Sequence, residues 1–213
     1  MTIFTRYRYD PGRMINYSGL IYFYNWYNFT VLENGRIMKK SMPELERMSP
    51  DAFKEASKNP LIVVLDQVRS MNNVGSIFRT ADSFLIEAIY LCGYTPRPPH
   101  RDIQKTALGA TETVSWQYFE STLEAVKHLK SAHYKVVAVE QTHNSISLED
   151  YPFQTGEKTA LIFGNEVDGV DEAVLKLCDA IIEIPQAGSK HSLNVTVSAG
   201  IVLWDFFKTF IKS

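Results

Sequence analysis

The chain has 213 residues, of which 45% are hydrophobic, with a formal net charge of −2 and a pI near 6.2. This size allows one good-sized core with at most a small appendage. The near-neutral charge excludes a globally basic nucleic-acid-binding protein, so any such partner must contact a local patch. No apolar run has the roughly 18 residues of a membrane span, no signal peptide is visible, and the two cysteines lack zinc-binding spacing. We therefore expect a cytoplasmic protein with reduced thiols and no metal or membrane partner.

The first part of the chain differs from the rest in composition. Residues 4–29 include ten aromatic side chains, without a steady period of 2 or 3.6 residues. Met38, followed by basic residues, is typical of a natural start. Residues 1–37 are therefore predicted to be an extension, non-native or poorly ordered, and residues 38–213 the functional domain. The alternatives for the extension are an aromatic arm that stacks on RNA and an added pair of strands.

Regular patterns begin at Pro43. Ser49 is a plausible N-cap for a helix that starts at Pro50 and continues toward Lys58, and Ser121 forms a capping box for a helix that ends near Ala132. Short apolar runs between the helical patterns predict strands over residues 61–65, 88–92, 135–139, 159–163 and 180–184. This alternation predicts an α/β domain whose mostly parallel sheet is flanked by helices. Ligands of such sheets bind beyond the carboxyl ends of the strands.

The segment after the first of these strands, residues 66–79 (DQVRSMNNVGSIFR), concentrates polar side chains. Asn73 and Gly75 are predicted to precede a helix that contains Arg79. Because six residues separate Asn73 from Arg79, both would face one site only if the chain bends back at Gly75. The alternative is an ordinary loop in which the amide of Asn72 or Asn73 caps the helix and Arg79 faces solvent.

A second concentration of this kind occurs in residues 160–170 (ALIFGNEVDGV), where an apolar strand ends in Gly164, Asn165 and Glu166. A glycine at this place allows a ligand to approach the backbone closely. It also allows the chain simply to turn. The segment by itself is therefore weak evidence for a site.

The third segment, residues 183–200 (EIPQAGSKHSLNVTVSAG), has amides and hydroxyls where a buried strand would continue with aliphatic side chains. Burial of such a group without a partner costs roughly 1–3 kcal/mol, which indicates a binding role for Ser192, Asn194, Thr196 and Ser198. Ile184 and Leu193 flank a turn that contains Gly188, and they could enclose a flat apolar ring while backbone groups bind its edge. The alternative is a packing loop before a helix.

A local basic cluster occupies the loop TPRPPHRDIQK, residues 95–105. Its members Arg97, Arg101 and Lys105, together with Arg69 and Arg79, could supply phosphate contacts that the whole-chain charge does not. The alternative is a solvated loop. Other chemistries lack their signatures, because the chain has no dinucleotide fingerprint, P-loop or nucleophile elbow and its histidines lack metal-ligand spacing.

In this order, the three polar segments resemble the three sequence motifs of the SpoU/TrmH family of RNA ribose methyltransferases. NNVGSIFR is similar to the first motif, LIFGNEVDG to the second and IPQAGSKHSLNVTVSAG to the third, and the resemblance covers about residues 43–212. It implies an α/β domain with a C-terminal trefoil knot, a homodimer, and S-adenosylmethionine bound in the knot. The resemblance alone predicts the knot, because general folding rules disfavour knots.

The resemblance also assigns roles by matching motif positions. The backbone around Gly164, Ile184 and Leu193 is expected to hold the cofactor, with Gly188 in the same turn. Gln186 departs from the family, in which an aliphatic residue or methionine more often follows the proline. The five residues that family members use for catalysis correspond here to Asn73, Arg79, Glu166, Ser192 and Asn194.

The implied reaction transfers a methyl group to a ribose 2′-hydroxyl, and positioning supplies much of the rate in such in-line transfers. Arg79 would stabilise the developing alkoxide and hold the adjacent phosphate, acting across the dimer interface. Glu166 and Asn194 would order the site, and Asn73 would orient Arg79 or the substrate. Transfer RNA is favoured over ribosomal RNA as the substrate, because the chain before Leu61 is short for a separate RNA-binding domain.

Three other functions are compatible with parts of the sequence. A base methyltransferase on a related knotted fold would place the methyl group on a ring nitrogen. A noncatalytic RNA-binding or ribosome-assembly module is disfavoured because all five motif residues are present. A nucleotide-binding oxidoreductase is disfavoured because the glycine fingerprint is missing.

Overall fold

A computed structural model describes residues 47–211, together with Lys40, Leu45 and the backbone of four short N-terminal strands. The chain forms two compact units, residues 1–47 and 48–213. The first unit contains an antiparallel sheet in the order β1 (Asn16–Tyr17), β2 (Leu20–Asn25), β3 (Asn28–Glu33) and β4 (Arg36–Ile37). Met38 lies outside the described residues. The division into an extension to residue 37 and a domain from residue 38 stays a prediction.

The second unit contains a seven-stranded sheet in which every neighbouring pair of strands is parallel. In chain order its strands are β5 (Asn59–Asp66), β6 (Ile86–Cys92), β7 (Ser115–Phe119), β8 (Lys135–Val139), β9 (Ile146–Ser147), β10 (Thr159–Phe163) and β11 (Ala180–Glu183). Across the sheet the order is β7-β6-β5-β10-β8-β11-β9. The predicted parallel α/β architecture is therefore confirmed.

Most helices of this unit lie between strands in the chain, whereas the first helix precedes the first strand of the sheet and the last helix follows the last strand. They are α1 (Pro50–Glu55), α2 (Met71–Ser83), α3 (Arg101–Ala107), α4 (Ala110–Thr113), α5 (Thr122–Ser131), α6 (Glu172–Leu175) and α7 (Val195–Ile211), and a 3-10 turn covers Leu148–Asp150. Two predicted caps are confirmed, since the Ser49 side chain accepts a hydrogen bond from the backbone N–H of Ala52 at 3.2 Å and that of Ser121 accepts one from Glu124 at 3.3 Å.

The central strand β5 shows why the sheet is covered on both faces. Leu61, Val63 and Leu65 pack into a core that also contains residues of α2 and α7. Their alternate neighbours Ile62 and Val64 pack into a second core on the other face, together with residues of α5 and α6. Because successive side chains of a strand point to opposite faces, an unbroken aliphatic run requires a hydrophobic layer on each side.

Two strands of the seven-stranded sheet were not predicted from sequence. The edge strand β7 has the sequence SWQYF, and its first three residues are exposed, so no apolar run marks it. The other, β9, has only two residues.

Within the described residues no helix is long and apolar enough to cross a bilayer. Cys92 and Cys178 are free, and burial raises the pKa of the Cys92 thiol to about 12. Threading of the chain into a knot stays a prediction.

Candidate functional site

A cavity of about 450 Å³ lies beyond the carboxyl ends of β8, β10 and β11. This is the edge at which parallel α/β sheets bind their ligands. Apolar and polar groups both line the cavity. The apolar side chains are Val139, Phe163, Val167, Ile184, Leu193 and Val195, and the acidic ones are Glu140, Glu166, Asp168 and Glu183. A ligand with an apolar ring and positive charge would therefore match this lining.

Close packing of the chain against itself explains Gly164. A Cβ atom at this position would lie 2.0 Å from the carbonyl carbon of Gly169 and 2.3 Å from the nitrogen of Val170. From the sequence alone, this glycine is compatible both with close approach of a ligand and with a simple turn. The structure shows that the segment after β10 folds back directly over Gly164, so any side chain there would displace one wall of the cavity.

The side chain of Glu140, which follows β8, holds the same turn from the other side. Its Oε2 accepts a hydrogen bond from the backbone N–H of Val170 at 2.9 Å, and its Oε1 accepts one from Gln141 at 2.9 Å. Gly169 has φ of +68°, and a Cβ atom there would lie 2.2 Å from Glu140 Oε2. Glu140 was not predicted from sequence, although a carboxylate immediately after an apolar strand run is a detectable signal.

The turn of residues 165–169 presents Glu166 to the cavity. Asn165 stabilises the turn, since its Oδ1 accepts hydrogen bonds from the backbone N–H groups of Val167 at 3.0 Å and Asp168 at 2.9 Å. Glu166 is exposed, and its Oε1 accepts a hydrogen bond from Asn73 Nδ2 at 2.5 Å. The first and second motifs, 93 residues apart, are thus joined by a direct side-chain contact.

Helix α2 corrects the prediction for the first motif. It runs without a break from Met71 to Ser83, so Asn73, Gly75 and Arg79 all lie inside it, and its N-cap is Ser70 rather than Asn72 or Asn73. Gly75 does not bend the chain. It allows α3 to pack closely instead, because a Cβ atom there would lie 2.1 Å from Thr106 Oγ1.

Arg79 therefore does not meet Asn73 on one face of the helix. Six residues at about 100° each place the two side chains about 120° apart around the α2 axis. Arg79 is exposed and is not among the residues that line the cavity. In the part of the chain that the structure describes, its guanidinium has no hydrogen bond or ion pair. Within a single chain, Arg79 is thus separated from the cavity that Glu166 lines.

The third motif forms a loop rather than the continuation of a buried strand. Strand β11 ends at Glu183, and helix α7 begins at Val195 despite the β-branched residues of its first turn. Ser192 and Asn194 are exposed, so the premise that both are buried was wrong. Asn194 caps α7, since its Oδ1 accepts hydrogen bonds from the N–H of Thr196 at 2.9 Å and from its hydroxyl at 2.5 Å.

The predicted site residues divide by location. The cavity lining includes Gly164, Glu166, Ile184, Ser192 and Leu193, together with the unusual Gln186. Asn73 reaches this group through Glu166, and Asn194 stands directly before Val195 of the lining. Gly188 is exposed, is absent from the lining, and would have no neighbour within 4 Å of an added Cβ atom. The catalytic and cofactor-binding roles of all these residues stay predictions.

The predicted RNA-binding residues lie on the surface. Arg69, Arg97, Arg101 and Lys105 are all exposed. Arg101 and Lys105 are one turn apart on α3 and share a face. Arg97 instead stacks on an aromatic side chain, with its guanidinium carbon 4.1 Å from the centroid of the Tyr118 ring. These positions leave the cations accessible to a phosphate backbone.

Comparison with known proteins identifies relatives of the region that contains the cavity. The chain is 29% identical over 153 residues to the 23S rRNA (guanosine-2'-O-)-methyltransferase RlmB of Neisseria meningitidis serogroup B, covering 72% of this chain and 60% of that protein. It is 30% identical over 174 residues to the mouse tRNA (guanosine(18)-2'-O)-methyltransferase TARBP1, covering 81% of this chain and 11% of that protein. The chain thus spans less than two thirds of either relative.

Among solved structures, the SpoU methyltransferase AviRb from Streptomyces viridochromogenes, in complex with the cofactor AdoMet, is similar with a TM-score of 0.66 and 25% identity. The similarity covers 75% of this chain and 64% of AviRb. A family profile described as the SpoU rRNA Methylase family matches residues 60–204, which include all three motif segments. The chain therefore belongs to the SpoU rRNA Methylase family.

Proposed function

We propose that this protein is an S-adenosylmethionine-dependent RNA methyltransferase that modifies a ribose 2′-hydroxyl. The observation that carries the proposal is the contact between Asn73 Nδ2 and Oε1 of Glu166, a residue of the cavity lining. This contact joins the first motif to a pocket made by the second and third motifs. Family membership and the names of the relatives, which are ribose 2′-O-methyltransferases, support the same reaction.

The cavity matches S-adenosylmethionine in size, apolar surface and charge. Its volume of about 450 Å³ lies within the roughly 300–1,000 Å³ usual for small-molecule sites. Phe163, Ile184 and Leu193 offer apolar surface for a planar base, while the acidic lining complements a positively charged cofactor. When bound, S-adenosylmethionine supplies an electrophilic methyl group on a sulfonium sulfur. AviRb, with its bound AdoMet, supports this choice of cofactor.

Within this proposal the chain's own residues position the substrate. Glu166 is held by Asn73 and lines the cavity, so its carboxylate can orient a ribose hydroxyl. Arg79 would stabilise negative charge that develops on the ribose oxygen, a contribution worth about 3 kcal/mol in comparable electrostatic sites. The arginine itself stays charged, because its guanidinium is not deprotonated in proteins.

A second chain is needed to bring Arg79 to such a site, and the exposed face of α7 supports a homodimer. Val197, Ile201, Trp204 and Ile211 are 47, 38, 50 and 59% exposed, and their spacing of 4, 3 and 7 residues places them on one stripe. The Trp204 ring lies 6.0 Å from the ring of Phe84, the C-cap residue that follows α2. An apolar stripe on this scale is typical of a protein interface. We infer that a second copy packs on α7 and brings its Arg79 to the cavity.

Nucleoside mass spectrometry tests the reaction. Purified protein is incubated with total transfer and ribosomal RNA and methyl-labelled S-adenosylmethionine, beside an Arg79→Ala variant. Labelled 2′-O-methylnucleosides that disappear with the variant are expected. Label on a base would replace the proposal with base methylation. Cofactor binding without any label in either RNA would favour a noncatalytic module.

A mixing experiment tests the shared site. Arg79→Ala and Glu166→Ala are each expected to be inactive alone. In mixed dimers, one of the two sites would combine an intact Glu166 from one chain with an intact Arg79 from the other. Full exchange should thus restore up to about a quarter of the wild-type rate, given the two-fold symmetry of a dimer. A mixture that stays inactive, although co-purification of differently tagged variants shows exchanged dimers, would contradict the shared site.

The relatives include both a 23S rRNA and a tRNA methyltransferase, so they do not support the predicted preference for transfer RNA. Either RNA is compatible with the exposed cations Arg69, Arg101 and Lys105. The mass spectrometry above includes both RNAs for this reason, and the labelled fraction identifies the substrate.

A further inference from the structure

A second cavity, of about 370 Å³, lies on the same edge of the sheet beyond the ends of β5, β6 and β7. The described residues that line it include Asp66, Gly93, Tyr94, Tyr118 and Glu120. The two cavities are adjacent along the chain, since Gly169 lines the first and Asp171, two residues later, lines the second. A polymer bound along this edge could therefore occupy the second cavity while one of its units lies at the first.

Two tyrosines give the second cavity an aromatic surface. The Tyr94 side chain is 79% exposed, so most of its ring surface is open to solvent. Tyr118 is held in place, since its hydroxyl donates a hydrogen bond to the carbonyl of Gly93 at 3.2 Å and the Arg97 guanidinium stacks on its ring. Exposed aromatic rings are the surfaces on which unstacked RNA bases pack.

The polar groups of the cavity distinguish a base from a phosphate. Asp66 is 2% exposed, and its two oxygens are already used by the Thr122 hydroxyl at 2.5 Å and the Asp171 N–H at 3.0 Å. Glu120 is exposed, and within the described part of the chain its carboxylate contacts only the Tyr118 hydroxyl, at 3.4 Å. Carboxylates repel phosphate and accept hydrogen bonds from N–H groups.

We propose that this cavity binds an unpaired guanine base of the RNA substrate, beside the nucleotide that is methylated. Guanine presents adjacent ring N–H and amino donors on its Watson–Crick edge, which match the exposed carboxylate of Glu120. Tyr94 stacks on the ring, and Arg97 at the rim holds the flanking phosphate. The role of the base as part of the substrate rests on the proposed function, whereas the binding of the base does not.

Photo-crosslinking tests the binding directly. Short transcripts of ribosomal and transfer RNA that contain 6-thioguanosine are irradiated with the protein, and the adducts are mapped by mass spectrometry of peptides. Adducts in the peptides that contain Tyr94 or Tyr118 are expected. These adducts should be lost in Tyr94→Ala and retained in Leu108→Ala. Leu108 is a suitable control because its side chain is also large and exposed, at 67%, but does not line the cavity.

Kinetics test the contribution to substrate recognition. Tyr94→Ala is expected to raise the KM for RNA about tenfold, in keeping with the loss of one stacked base, with little change in kcat or in the Kd of S-adenosylmethionine. Tyr94→Trp should restore the KM, because it retains a stacking surface. Glu120→Gln should raise the KM for guanine-containing RNA and lose discrimination against inosine, which lacks the amino group.

The outcomes separate the two proposals. Methylation with adducts only in other peptides, and an unchanged KM in Tyr94→Ala, would overturn the base site and leave the proposed reaction intact. Adducts at Tyr94 without methylation of any RNA would support the base site and contradict the reaction. The absence of both adducts and methylation would overturn both. An unchanged discrimination between guanine and inosine in Glu120→Gln would overturn the choice of guanine.

Discussion

The two cavities on the carboxyl edge of the sheet differ in how their walls are fixed. In the first, the turn that carries Glu166 packs closely against the backbone of Gly164. The Glu140 carboxylate also accepts a hydrogen bond from the backbone N–H of Val170 at the end of this turn. In the second, the large side chain of Tyr94 projects into solvent, and the carboxylate of Glu120 can accept hydrogen bonds beyond the one from the Tyr118 hydroxyl. The first cavity is thus suited to a small ligand of fixed shape, and the second to one unit of a flexible polymer.

The two cavities also differ in whether the sequence predicted them. The first cavity coincides with motifs that mark a family, so its ligand follows from sequence resemblance together with geometry. Nothing in the sequence marked Tyr94 or Glu120, and only their positions around the second cavity connect them. Variants in the first cavity should therefore change cofactor binding, and variants in the second should change only the affinity for RNA.

The largest effect is expected for Gly164→Val. A side chain here must displace the backbone of Gly169, since even a Cβ atom would lie 2.0 Å from its carbonyl carbon. We expect at least a hundredfold loss of S-adenosylmethionine affinity by calorimetry and a lower Tm, as for other strongly overpacked positions. Gly188→Ala is the control, because the space around Gly188 is open. Its affinity for S-adenosylmethionine should differ from that of the wild type by less than about twofold. Equal losses in both variants would contradict the described turn.

Glu140→Ala should weaken cofactor binding next most strongly. It leaves the N–H groups of Val170 and Gln141 without their acceptor, at a cost of about 1–3 kcal/mol for each such group that stays buried. The turn that carries Glu166 would loosen, and we expect the Kd of S-adenosylmethionine to rise about tenfold. Glu140→Gln keeps one acceptor oxygen and should show an intermediate Kd. A wild-type Kd in Glu140→Ala would show that the turn is held without this carboxylate.

Asn73→Ala should slow the reaction while leaving cofactor affinity unchanged. The substitution removes the donor to Glu166 Oε1 but no residue of the cavity lining. A charge-assisted hydrogen bond of this kind contributes about 1.5–3 kcal/mol, so kcat should fall roughly ten- to a hundredfold in single-turnover assays. The neighbouring Asn72→Ala is the matched control, because Asn72 is exposed and only its backbone carbonyl accepts hydrogen bonds in the described region. A fall in both variants would indicate damage to α2 instead.

The smallest effect is expected for Arg97→Ala. The substitution removes a cation that stacks on Tyr118 at the rim of the second cavity, an interaction worth about 0.5–1 kcal/mol when exposed. The KM for RNA should rise about threefold at low salt and less at high salt, because phosphate contacts are screened. Calorimetry with S-adenosylmethionine should give the wild-type Kd. A change in that Kd would mean that the two cavities are coupled.

Local signals in the sequence were enough to determine the fold class. The aliphatic run Leu61–Leu65 is buried on both faces of the sheet, and the caps at Ser49 and Ser121 start the predicted helices. These features depend on side-chain period and on hydrogen bonds between residues close in sequence. They are therefore readable without knowledge of the tertiary structure.

The sequence also determined the family, through the order and composition of three motifs. Only the tertiary structure decided where their residues stand. It placed Glu166 against Asn73, put Arg79 on an exposed face of α2, and brought Glu140 beneath a turn that begins 25 residues later in the chain. Contacts between distant residues depend on how strands order across the sheet and how closely backbones approach. No local pattern records them, because the same residue types satisfy many arrangements until the packed core selects one.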